Sequence, residues 1–287
     1  MNPTPNQPLA EKVLEQIEEK QVAPRPRWVF LAKNIAFWSL WVLSLLIGAA
    51  ALAATLFALT NAGWEFRDVT HPEIVSFLME NIPVLWIVAL CLMLVLGIEN
   101  LRHTKSGYRY PMFVLFALNL LGSAALGYGL FRLGAGQFVD EDLGSHIPFH
   151  RPMLVVQEHN WTRPQRGLLS GAVTDVDGDF KQFTIKTFDG IVWTVSGADV
   201  GDIGRDVLIH APVVRVVGVP LQEDATNTVF HACFVFPWVV TGGTFPMQPP
   251  APPHTFTLQV PSQEFAPDSP CAQLQTAKEL RDLQYHR

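Results

Sequence analysis

The chain has 287 residues, of which 49% are hydrophobic and only 16% are charged, and its mean hydropathy is +0.21. An ordinary soluble domain carries roughly a quarter of its residues as charges, so this composition indicates a membrane protein and argues against a purely soluble enzyme. The formal net charge of -6 gives no cationic footprint for nucleic acid. Three cysteines are too few for a disulfide-rich scaffold.

Residues 1–34 are predicted to form a cytoplasmic leader. Within the leader, residues 9–20 place their aliphatic side chains on one stripe of a helix and their charged side chains elsewhere, which favours a short amphipathic helix. Pro24 and Pro26 then end this helix before a basic stretch that leads to the membrane.

Residues 35–133 hold nearly all of the long apolar runs and are predicted to form a three-helix transmembrane domain. The first uncharged run contains 26 residues, and at about 1.5 Å per residue it would extend about 39 Å as a helix, enough to cross a bilayer. It is too long for a signal peptide, whose apolar core has about 7 to 15 residues. The predicted spans are about 35–60, 81–98 and 111–131.

The lysines and arginines beside the spans predict the orientation, because cytoplasmic segments are enriched in them. The leader contains five basic residues and the connection at 99–110 contains three, whereas the connection at 61–80 contains only Arg67. We therefore expect a multi-pass protein of the cytoplasmic membrane with a cytoplasmic N-terminus and an extracytoplasmic C-terminal domain.

The three spans lack charged residues and histidines, which argues against a transporter, a proton relay or a membrane-embedded haem. Asn119 is predicted to form a hydrogen bond to a neighbouring helix. Small residues such as Ser123 and Gly127 predict close packing among the three helices. Self-association through these small-residue faces, or docking of another membrane or envelope protein, is the alternative.

The pattern changes from helical to strand-like after a predicted linker at residues 134–151. Residues 152–240 are rich in β-branched and aromatic side chains, with Asp-Gly turns at 177–178 and 189–190. Five short strands, the first three in a meander, indicate a small closed barrel. The predicted strands are 167–175, 180–188, 191–196, 213–219 and 229–238.

The segments GAVTDVDGDFKQFTIKTFDGIVWTV, VVRVVGV and FHACFVFPW resemble the oligonucleotide/oligosaccharide-binding (OB) fold. The fold class is thus a membrane α + β protein, with three transmembrane helices followed by a five-stranded OB-like barrel. The whole layout is also similar to that of uncharacterised bacterial membrane proteins, a likeness that implies no activity.

The OB resemblance implies a ligand face on the second and third strands. The candidate partner-binding aromatics are therefore Phe180, Phe188 and Trp193. The alternative is that these side chains pack in the barrel core. Residues 151–240 contain seven basic and ten acidic residues, which argues against nucleic acid.

Two residues of the fifth strand are candidates for metal binding. His231 and Cys233 point to the same face and could supply half of a soft-metal site. No second pair at ligand spacing is visible, so a buried histidine beside a buried thiol is the favoured interpretation, and no metal or other cofactor is predicted. Cys233 and Cys271 are also candidates for a disulfide outside the cytoplasm.

The arrangement looks distantly like the membrane-anchored haem chaperone of cytochrome c maturation, which also carries an OB domain. The resemblance would imply a His-x-x-x-Tyr haem motif, but residues 129–284 contain no tyrosine. The haem motif is therefore absent from the predicted β domain.

No nucleophile elbow, phosphate loop or CxxC pair occurs, so no catalytic residues are predicted. Residues 241–287 are predicted to form a Pro-rich tail with a short C-terminal helix. We expect a non-enzymatic membrane protein that presents its β domain to bind or scaffold a protein or envelope component. The alternatives are a metal or haem carrier or enzyme of the cell envelope, and an OB-type protein that binds single-stranded nucleic acid.

Overall fold

The computed structural model describes residues 26–71, 73–102, 111–223, 228–242 and 265–272. In this part of the chain, a unit built from helices is followed by a closed five-stranded barrel. The predicted leader helix at residues 9–20 and nearly all of the predicted C-terminal helix lie outside the described residues.

The helical unit contains α1 (Arg27–Thr60), α2 (Arg67–Thr70), α3 (Ile74–Asn81), α4 (Val84–Arg102), α5 (Met112–Arg132), α6 (Ala135–Gln137) and α7 (Met153–Trp161), with a π-helical turn at Phe138–Leu143. Helix α1 is the centre of this unit and packs along both α4 and α5. Short helical turns follow α5 and lead into α7, the last helix before the barrel.

Helices occupy all three segments that the sequence predicts as spans. Among the described residues, the stretch Leu31–Thr70 is the one that is long and apolar enough by itself to cross a membrane. Two further helix pairs are long and apolar enough to cross a membrane only if each pair is counted as one broken span. The chain bends by 61° between α3 and α4, and by 99° between α5 and the short helical turns that follow it.

Small residues let the three long helices approach closely. A Cβ on Gly127 of α5 would lie 2.9 Å from the backbone oxygen of Ala49 on α1, closer than such atoms come in proteins. Asn119 Nδ2 donates to the backbone oxygen of Leu94 on α4 at 3.1 Å, as predicted for this amide. The small-residue faces at these contacts are therefore occupied within the chain.

The predicted five-stranded barrel is confirmed. The strands follow one another around the barrel in the order β1-β2-β3-β5-β4, with β1 and β4 closing it and β3 parallel to β5. This order, with a helix between β3 and β4, fits the OB-like prediction. The elements are β1 (Leu168–Val176), β2 (Gln182–Thr187), β3 (Val192–Ser196), α8 (Asp202–His210), β4 (Val213–Glu223) and β5 (Thr228–Pro237).

Alternate side chains of each strand fill the barrel, because successive residues of a strand point to opposite faces. Phe183 and Ile185 of β2, Trp193 and Val195 of β3, and Phe230 of β5 are all 2% exposed or less and belong to one core cluster. The outward positions of β2 include Lys186, which is exposed.

The segment at residues 134–151, which the sequence predicts as a linker, forms helical turns that pack against the helices. The carboxylate of Asp140, 1% exposed, accepts hydrogen bonds from Trp86 Nε1 at 2.6 Å and from the backbone N–H of Met153 at 2.7 Å. His150 Nε2 lies 3.0 Å from the same carboxylate. A buried carboxyl group is tolerated where hydrogen-bond donors surround it, and Asp140 joins the turns after α5 to α4 and α7.

Candidate functional site

The barrel is attached to the helical unit by a cage of aromatic rings around the Arg215 guanidinium. Arg215 Cζ lies 4.3 Å from the ring centroid of Trp238, 5.2 Å from that of Trp161 and 5.6 Å from that of Phe66. Burial lowers the pKa of Arg215 to about 10, a shift that the Glu65 carboxylate partly opposes. The side chain therefore stays cationic at neutral pH and bridges β4, α7 and the turn after α1.

A second attachment joins the end of α1 to the segment after β5. Asn61 Nδ2 donates to the backbone oxygen of Thr241 at 2.9 Å, and the backbone N–H of Thr241 donates to Asn61 Oδ1 at 2.8 Å. Gln157 of α7 donates to the backbone oxygen of Ala62 at 2.9 Å and to Asn81 Oδ1 at 3.0 Å. The barrel is thus held at one end of α1 by direct contacts.

Beside this attachment, a cavity of about 680 Å³ opens between α3, the end of α7 and the turn that leads into β1. We call this cavity the junction cleft. Its volume is in the range of small-molecule sites. It is lined by His71, Ser76, Glu80, His159, Thr162, Arg163, Pro164, Gln165 and Arg166.

The junction cleft carries more positive than negative charge. Its one carboxylate, Glu80, lies 3.1 Å from His71 Nε2 and 3.9 Å from Arg163 Nη2. Arg166 is exposed and makes no ion pair with any other described residue. Two guanidinium groups against one carboxylate favour an anion, and guanidinium recognises phosphate and carboxylate groups through paired hydrogen bonds.

A second cluster lies on the barrel and contains both predicted metal-ligand candidates. Cys233 of β5 is disulfide-bonded to Cys271, which brings residues 265–272 against the barrel. His231 Nε2 lies 2.7 Å from Asp199 Oδ2, and Ser269 Oγ donates to the same oxygen. We call Asp199, His231, Cys233, Ser269 and Cys271 the cysteine cluster.

Asp199 is ionised in this cluster over the ordinary pH range. Burial on its own raises the pKa of its carboxyl, but the hydrogen bonds from Ser269 and His231 outweigh that effect, so the pKa is lowered. The arrangement is not a catalytic triad, because the carboxylate lies between the hydroxyl and the imidazole, whereas a triad needs the imidazole in the middle. No local sequence pattern pairs Asp199 with His231, because 32 positions separate them.

The candidate partner-binding aromatics do not form one surface. Trp193 is 2% exposed and packs in the barrel core, so it is not available to a partner. Phe180 is partly buried against the same core and has a positive φ of 56°. Phe188 is 43% exposed, but its ring packs against Trp238 at 5.1 Å between ring centroids. An aromatic ligand face on β2 and β3 is therefore reduced to Phe188.

The junction cleft was missed from the sequence because its groups come from distant positions. His71 and Glu80 precede α4, whereas Arg163 and Arg166 precede β1. The high local density of polar residues at 157–166 was the one signal, and it reads equally well as an ordinary solvated loop.

Comparison of the chain with known protein families, with curated proteins and with solved structures gives no match.

Proposed function

We propose that the chain is an integral membrane protein in which α1, α4 and α5 cross the cytoplasmic membrane and hold an OB-like barrel at its outer surface. In this proposal the junction cleft binds an acidic component of the envelope, for which we propose the phosphate headgroup of an acidic phospholipid. The junction cleft carries the proposal, because it is a basic-lined cavity at the boundary between the apolar helices and the barrel.

Exposed apolar side chains around the long helices support membrane insertion. Leu43 of α1 is 52% exposed, Val88 of α4 is 58% exposed and Phe113 of α5 is 77% exposed. Contiguous apolar surface of more than a few hundred Å² is rare on soluble monomers. In the hydrocarbon core of a bilayer, exposing such a surface costs no hydrophobic free energy.

The charge distribution and the barrel attachment support an outer position for the barrel. The leader and the 99–110 connection contain eight lysines and arginines in all, whereas the barrel is attached at the opposite end of α1, next to Arg67. Basic segments remain on the cytoplasmic side. The strand order, the closure by β1 and β4 and the position of α8 support the OB-like assignment.

Helix α3 gives the junction cleft a position at the membrane surface. On one face of α3, Ile74, Val75 and Met79 are 48%, 58% and 79% exposed, and an exposed apolar face of this kind favours the interface between headgroups and acyl chains. Ser76 and Glu80 of the same helix line the cleft. A lipid phosphate at that depth could reach the two arginines of the cleft.

Membrane topology is tested with a reporter enzyme fused after Arg287. We expect activity of a periplasm-dependent reporter, and no activity of a cytosol-dependent one. The reverse result, or a chain that stays in solution without detergent, would contradict the proposed membrane anchor.

Ligand binding in the junction cleft is tested with the full chain in a neutral detergent. We expect short-chain phosphatidylglycerol to bind more tightly than phosphatidylcholine of equal chain length. Replacing both arginines, Arg163→Gln and Arg166→Gln, should weaken this binding about 10-fold or more, since each charged hydrogen bond contributes about 1.5 to 3 kcal/mol. The matched control is Lys186→Gln, which removes an exposed positive charge from β2 outside the cleft.

Glycerol phosphate serves as the probe for a free anion in the same experiment. If it binds as tightly as the short-chain lipid, the cleft takes a soluble phosphate and the lipid assignment is wrong. If both lipids bind equally tightly, or if Lys186→Gln weakens lipid binding as much as the double arginine substitution does, the junction cleft is not the lipid-binding site.

A further inference from the structure

The cysteine cluster brings together four groups that are metal ligands when both cysteines are reduced. Asp199 comes from the loop between β3 and α8, His231 and Cys233 come from β5, and Cys271 comes from the C-terminal segment. The ligand atoms of Asp199, His231 and Cys271 lie within 4.8 Å of one another. The sulfur of Cys233 is bonded to that of Cys271, so it lies next to this group of three atoms without being one of them.

We propose that the reduced barrel binds a single zinc ion through Asp199, His231, Cys233 and Cys271. Two thiolates, an imidazole and a carboxylate form a tetrahedral ligand set of the kind zinc takes. In such a site neighbouring ligand atoms are about 3.3 to 3.8 Å apart, given metal–ligand bonds of about 2.0 to 2.3 Å. The donor atoms of Asp199, His231 and Cys271, which lie within 4.8 Å of one another, would therefore approach each other by at most about 1.5 Å.

The surroundings of the cluster are those of a closed structural site. Both cysteines are 0% exposed, His231 is 7% exposed and the side chain of Asp199 is 25% exposed, so the four protein ligands would leave the ion little contact with solvent. Ser269 Oγ donates to the Asp199 carboxylate and accepts from the backbone N–H of Cys271 at 3.0 Å. Hydrogen bonds of this kind orient metal ligands and tune their basicity.

The disulfide and the zinc ion are alternatives, because the disulfide removes both thiolates. A dithiol reductant that delivers two electrons and two protons breaks the bond between the Cys233 and Cys271 sulfurs and leaves two thiols, while the reductant becomes a disulfide. Binding of Zn²⁺ then releases the two thiol protons to solvent. In either form the segment around Cys271 stays attached to β5.

The proposal is tested on the full chain, reduced and then freed of reductant without air. We expect the reduced protein to bind zinc in a ratio of one ion per chain. Cobalt should give the ligand-field bands of a tetrahedral site together with a thiolate-to-cobalt charge-transfer band. The oxidised protein should show neither result. Zinc binding of equal affinity before and after reduction would overturn the proposal.

Single substitutions test which residues bind the zinc ion. Cys233→Ser and Cys271→Ser should each abolish the charge-transfer intensity of one thiolate, and Ser269→Ala should weaken zinc binding about 10- to 100-fold, as loss of a hydrogen bond to a metal ligand does. The control is Cys91→Ser, which removes the free cysteine of α4 and should leave zinc binding unchanged.

A measurement on the unmodified sequence keeps the test independent of variant folding. In the reduced protein, zinc should protect Cys233 and Cys271 from alkylation, while Cys91 reacts at the same rate with and without zinc. If zinc leaves the alkylation of all three thiols unchanged, the proposed site does not exist.

Discussion

The barrel core is built from large apolar side chains, whereas the contact between α1 and α5 around Gly127 is built from small ones. In the barrel, Phe183 and Trp193 point inward and are almost fully buried. In the helical unit, small residues such as Gly127 and Ala49 meet between helices, and large ones such as Phe113 point outward. Burial away from water stabilises the first arrangement, whereas in the proposed membrane anchor close backbone packing stabilises the second. The same substitution should therefore have different effects in the two regions.

The largest effect is expected from removing a large side chain in the barrel. Phe183→Ala leaves a cavity in a closed core and should lower the free energy of unfolding by about 3 to 5 kcal/mol. Phe113→Ala removes an exposed ring from α5 and should change the free energy of unfolding in detergent by about 0.5 kcal/mol or less. Chemical denaturation of both variants measures this difference. Equal losses would mean that α5 buries its outer face.

The next effect comes from enlarging a small residue between helices. Gly127→Leu forces a side chain against the backbone of α1 and should cost about 1 to 3 kcal/mol through overpacking. Gly129→Leu is the matched control, because a Cβ at that position meets nothing within 4 Å. Thermal unfolding in detergent should separate the two variants. A neutral Gly127→Leu would show that α1 and α5 are not in contact.

An effect of similar size is expected at the attachment between the two regions. Arg215→Ala removes a buried cation from three aromatic rings and should cost about 2 kcal/mol. Arg215→Met keeps the packing without the charge and should cost less, since replacing a buried charge by an apolar group is often close to neutral. Limited proteolysis between the helices and the barrel reports on the attachment. Equal protection of all three proteins would exclude a role for the cage.

The smallest effect is a pH dependence confined to the barrel. Because the pKa of Asp199 is lowered in the folded state, the stability it contributes is present above its ordinary value near 3.8 and is lost as the pH falls toward the folded value. Denaturation midpoints from about pH 6 to about pH 3 should therefore fall more in the wild type than in Asp199→Asn. Parallel curves would show that the carboxylate is not stabilised by its neighbours.

The barrel could be predicted from local patterns because β-branched residues and Asp-Gly turns act over a few positions. The segment GADVGDIGRD, residues 197–206, is rich in glycine and aspartate, which are typical of turns. Helix α8 forms there because the burial of Val207 and Leu208 against the barrel overrides that local preference. The inward position of Trp193 follows from strand alternation, but sequence alone does not say which face of a strand is the interior.

The candidate sites depended on contacts that no local pattern contains. The junction cleft needs α3 to lie beside the turn before β1, and the cysteine cluster needs Asp199 and Cys271 to reach the same strand from opposite sides in sequence. Two of the four proposed ligands, His231 and Cys233, could be recognised from their shared strand face. Tertiary packing determines that Asp199 and Cys271 join them.

The Cys233–Cys271 bond also keeps the chain connected after a proteolytic cut between these two residues. Cys271 is covalently joined to Cys233 of β5, so the chain between these two cysteines forms a covalent ring. A protease that cuts once inside this ring yields two fragments that travel together on a gel until a reductant is added. Shedding of the carboxyl-terminal piece therefore requires two chemical events, one hydrolytic and one reductive.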